Sequence, residues 1–85
     1  MDANMFMELE DFVGVTLNHA KKTVFYDEAI NCRAIAFGAV SFFMNTSSLC
    51  PTFEDWKKID NWWHEKWERF REIANSKKVR YGCVL

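Results

Sequence analysis

A chain of 85 residues has room for one domain, and folding at that length buries roughly 60 to 65 percent of the unfolded surface. A hydrophobic fraction of 49%, with aromatic residues making up 16% of the chain and only three glycines and one proline, excludes disorder and points to a core dense in rings. A formal charge of −1 gives no general pull toward nucleic acid.

That charge is unevenly spread. Residues 1–30 set Asp2, Glu8, Glu10, Asp11, Asp27 and Glu28 against Lys21 and Lys22, a balance of −4. The remainder holds nine basic and six acidic residues, +3, and ends in Lys77, Lys78 and Arg80.

In chain order, Met5, Leu9, Phe12, Val13, Thr16 and Ala20 fall on one side of a 100° helical wheel, while Glu10, Asp11, Gly14, Asn18 and Lys21 fall on the other. This predicts a first helix from about 4 to 22. Asp2 or Asn4 would cap its amides, and Lys21 and Lys22 would complement its carbonyl end. The second helix, about 24–45, would start at a cap on Thr23 or Asp27, and its polar strip is confined to Asp27, Glu28, Asn31 and Asn45. A helix so apolar must be covered on most sides, which predicts a central position. Its apolar run, Ala34 to Met44, is about half of the roughly 20 residues a membrane span needs, so it reads as core.

Asn45 to Pro51 is rich in side chains that bond local backbone, and predicts a loop. Thr52, with Asp55 three residues on, forms a capping-box pattern that starts a third helix at about 53–75. Its inward stripe is expected to be Phe53, Trp56, Ile59, Trp63, Trp67, Phe70 and Ala74, with Glu54–Lys58 and Glu65–Arg69 paired outside. The fold class is therefore all-α: a three-helix bundle in a single domain, 1–85, with a short basic C-terminal tail at 76–85.

Chemistry is sparse. Asp60, His64 and Glu68 stand at i, i+4 and i+8, a line that could relay protons or hold a divalent metal, although Lys57 and Arg71 beside it favour a solvated ion network. Cys32, Cys50 and Cys83 are an odd number without close pairing, and no signal pattern precedes them. They read as reduced thiols of a cytoplasmic protein. With His19 and His64 they lack zinc-finger spacing, and a thiol at Cys32, mid-helix among apolar residues, is inert. Cys83-Val84-Leu85 is one residue short of a prenylation box. Lys77, Lys78, Arg80 and Tyr81 could touch phosphates, but three charges read more simply as a solvated helix end.

Trp62 points roughly 120° away from the third helix's stripe, beside Lys66, Arg69 and Ile73. An exposed Trp next to Arg and an aliphatic residue has the composition of an interface anchor. The function expected from these residues is a small non-enzymatic protein-interaction module. It would act through Trp62, Lys66, Arg69 and Ile73 on another protein or on a second copy of itself, with no cofactor, no catalytic residue, no membrane and no direct nucleic-acid contact. The alternative is a small inhibitor or accessory factor, of the kind made by phages and mobile elements, that occludes a nucleic-acid enzyme with its acidic N-terminal face. A metal-dependent enzyme built around His64 comes third.

Overall fold

A computed structural model describes residues 1–77, which form three α-helices: α1 (Ala3–Lys22), α2 (Tyr26–Met44) and α3 (Phe53–Asn75). The fold is an all-α three-helix bundle in which α2 packs along both α1 and α3, while α1 and α3 meet over a shorter length. From Lys78 onward the expected basic tail lies outside the described residues.

Local chemistry accounts for the helix ends. The Asp2 carboxylate accepts from the Met5 amide at 3.1 Å, satisfying one of the amides that the first turn of α1 leaves unpaired. At the other end, Lys77 Nζ donates to the Lys21 carbonyl at 2.8 Å, tying the exit of α3 to the last turn of α1. Thr52 Oγ1 accepts from the Asp55 amide at 3.1 Å, as the capping pattern predicts. The loop before it is held by Thr46, whose hydroxyl donates to the Phe42 carbonyl at 2.7 Å. Leu49 then accepts from the Asp2 amide at 3.2 Å, anchoring the start of α1 to the α2–α3 connection.

The start of α2 departs from expectation. The helix begins at Tyr26, with Phe25 as a cap that supplies no side-chain bond. Thr23 instead closes α1, and its hydroxyl donates to Glu28. Asp27 lies inside the first turn, where its charge complements the helix dipole.

The core is built from Leu9, Val13, Leu17 and Ala20 of α1, Ala29, Cys32, Ala36, Val40 and Phe43 of α2, and Ile59, Trp63, Phe70 and Ala74 of α3. The alanines are fully buried, and their small side chains let helix axes approach closely around the rings. Thr16, the one buried polar residue of α1, donates to the Val13 carbonyl at 2.8 Å and so stays satisfied.

Three expectations about packing are corrected. Leu17 rather than Met5 and Phe12 completes the inward face of α1, so the buried stripe is rotated toward Val13 and Leu17. On α3 the first turn lies beyond the bundle: Phe53 is 70% exposed and Trp56 39%, and their rings stack at 6.1 Å with an interplanar angle of 9°. Trp67 is half-buried, with the Arg33 guanidinium 4.7 Å from its ring. Most consequentially, α2 is not covered on most sides, because its two neighbours leave Ala34, Ile35, Gly38 and Phe42 open.

The Asp55 carboxylate accepts from the Met1 amino group at 2.8 Å. That bond, and then a hydrogen bond to the carboxyl from the Thr52 side chain, hold the Asp55 carboxyl below its ordinary value. A depressed folded value contributes stability that is present above the unfolded carboxyl's value and is lost as pH falls through the folded one. Denaturation midpoints between pH 6 and pH 2 should therefore fall less steeply for Asp55→Asn than for the parent. Equal slopes would remove Asp55 from the acid response.

Candidate functional site

The residues singled out on α3 do not form an open anchor. Trp62 is half-buried, and Phe6 of α1 stands edge-on to it, with ring centroids 5.2 Å apart and an interplanar angle of 71°. Phe6 in turn lies 6.0 Å from Phe43 of α2, so the indole continues the core rather than facing water. The start of α1 covers Trp62, a place that the helical wheel of α3 had assigned to a partner or to the tail. Ile73 is half-buried against the core, Lys66 is partly exposed, and Arg69 is exposed.

Asp60 and His64 are brought together at 3.5 Å, but both groups face solvent, and Glu68 turns to Arg71 at 2.6 Å. The ion pairs formed within α3 are these, rather than Glu54–Lys58 and Glu65–Arg69. No group of three His, Cys, Asp or Glu able to hold a metal occurs among the described residues. Cys32 and Cys50 are free and buried, and burial, with the charges of Glu28 and Asp55 respectively, pushes both thiols up, away from the nucleophilic thiolate. Cys83, Lys78, Arg80 and Tyr81 lie outside the described residues. His19 is exposed, with Nε2 3.7 Å from Glu28.

The feature that stands out is apolar and lies elsewhere. Along α2, Asn31, Ala34, Ile35, Gly38, Phe42 and Asn45 share one exposed face, with Ile35 56% and Phe42 69% exposed. Beside it on α1 runs an exposed row, Met5, Glu8, Phe12, Val15, His19 and Lys22, in which Val15 is 67% exposed. A groove lined by Met5, Leu9, Phe12, Ala39, Phe42 and Leu49 joins the two helices, with Glu8 at its edge. Gly38 faces open space: a Cβ added there would meet nothing within 4 Å.

Two signals for this face were present in the sequence. The spacing 5, 8, 12, 15, 19, 22 alternates three and four residues, the period of a helix-pairing seam, but the row is only half apolar and was overshadowed by the stronger stripe. The second signal is arithmetic: α2 is apolar around most of its circumference, and two neighbouring helices cannot cover it all. Among the described residues no helix is long and apolar enough to cross a membrane.

No family model matches the chain, and no curated protein or solved structure matches it.

Proposed function

We propose that this chain is a small, non-enzymatic protein-interaction module that docks a helical partner on the face shared by α1 and α2. The observation carrying this reading is the exposure of Ile35, Gly38 and Phe42 on α2 beside Met5, Phe12 and Val15 on α1. Contiguous apolar surface rimmed by polar groups, here Glu8, Asn31 and Asn45, is the composition of a docking patch. Its groove, between two antiparallel helices, has the shape that receives a third. Glu8, and Asp11 immediately beside the row, offset Lys22 on this face of α1, so it carries no basic excess that would draw it to an anionic lipid surface, which favours protein over membrane as the partner.

Site-specific photo-cross-linking in the native host tests this. A photoreactive residue in place of Val15 or Ile35 should give discrete protein adducts, and one in place of Glu72 on the outer side of α3 should not. Adducts from neither α1 nor α2 would overturn the proposal. Adducts from Arg69 alone would move the interface to the third helix.

A further inference from the structure

Resting on that reading, we infer that the partner is a second copy of this chain, paired through antiparallel contact of its α1 with α1 of the first. At about 100° per residue, the exposed row Met5, Glu8, Phe12, Val15, His19 and Lys22 occupies a sector of about 100° that borders the groove shared with α2. Its spacing, 3-4-3-4-3, reads the same in both directions. Reversed and laid against itself, the row places Phe12 opposite Val15 of the second copy, Glu8 opposite His19, and Met5 opposite Lys22.

The charges select this orientation. In the row, and immediately beside it, the N-terminal half of α1 carries Glu8 and Asp11, and the C-terminal half carries His19 and Lys22. A parallel pairing would set carboxylate against carboxylate. The antiparallel one sets each Glu8 level with His19 and within side-chain reach of Lys22 of the other copy, and a two-fold axis makes that contact twice. The apolar pair Phe12 and Val15 then lies next to the axis, with polar pairs toward both ends, the layout of an interface with a dry centre and a wet rim.

The open face of α2 follows in the same assembly. Because α1 and α2 run antiparallel, with Phe6 near Phe43 and His19 near Glu28, Ala34 and Ile35 lie roughly level with the axis. Gly38 is about one turn away. An interior helical glycine is less favourable than alanine by roughly 1 kcal/mol, and within one copy the space it leaves is unused. A helix of the second copy crossing α2 would use it. The small residues Ala34 and Gly38 permit that approach, and Ile35 and Phe42 become covered by it.

The test is sedimentation equilibrium of the full chain and of charge-reversed variants, with circular dichroism confirming that each is folded. The parent should be a dimer. Glu8→Lys alone, and the double variant His19→Glu with Lys22→Glu, should each dissociate at least tenfold more readily, because like charges then face each other twice. Mixed in equal amounts, the two variants should form a heterodimer tighter than either self-pair, since one contact then has its native sign and the other is restored with the signs exchanged. Val15→Lys, exposed in the single copy, should remain helical and be monomeric. A parent that is monomeric at high concentration overturns the second-copy proposal. If cross-links from Val15 and Ile35 to a different protein persist in that case, the interaction-module reading stands; if they do not, both fall. A dimer indifferent to the charge reversals overturns the α1 register.

Discussion

Phe70→Ala is expected to destabilise the fold by about 3 to 5 kcal/mol, the cost of removing a large ring from a site too tightly packed to collapse. Phe70 is fully buried, on the inward face of α3, with its ring centroid 6.2 Å from that of Trp63. A domain of this length has a total stability of roughly 4 to 13 kcal/mol, so the variant will sit near its unfolding transition at room temperature. Phe70→Leu, which retains most of the volume, should lose less than about 1.5 kcal/mol and provides a folded comparison. Phe53→Ala, on a ring that lies mostly in water, should change stability by no more than about 0.5 kcal/mol. Urea midpoints at constant slope would order the three variants. If Phe53→Ala were as damaging as Phe70→Ala, the inward face of α3 would have to be redrawn.

The second large effect concerns Trp62. A half-buried indole removes on the order of 100 Å² of apolar surface from water, so Trp62→Ala should cost about 2.5 kcal/mol of single-chain stability. Its edge-to-face contact with Phe6 adds a specific component. In a double-mutant cycle with Phe6→Ala, the two substitutions should couple by about 0.5 to 1.5 kcal/mol. A Trp62→Ala variant as stable as the parent, with no coupling to Phe6, would return the indole to the surface and restore the third helix as an interaction face. The measurement therefore decides between two placements of the same residue.

Ordinary capping chemistry made the helix ends readable. Asp2 at the start of α1 and Thr52 with Asp55 at the start of α3 act within four residues of chain, so their partners are fixed by local geometry. The start of α2 was less legible because Thr23 and Asp27 are both good caps and neither is used. The Thr23 hydroxyl goes instead to Glu28, a contact across the α1–α2 turn rather than along one helix, and α2 starts at Tyr26.

From the residues alone came the fold class, the three helices to within about two residues, the loop at Asn45 to Pro51, and the burial of Val13, Ile59, Trp63, Phe70 and Ala74. Periodicity along one helix settles those matters, because apolar positions 3.6 residues apart must share a face. Which face stays open was a different question. The wheel of α3 shows that Trp62 leaves the main stripe, but not that Phe6, 56 residues earlier in the chain, arrives to cover it. The wheel of α2 shows apolar residues nearly all round, but not which third of them the two neighbours leave bare. Those outcomes depend on the crossing angles and relative rotations of the helices, set by how side chains from distant parts of the chain interlock, and so only the tertiary structure decided that Trp62 is covered while Val15 of α1 and Ile35 and Phe42 of α2 stay open.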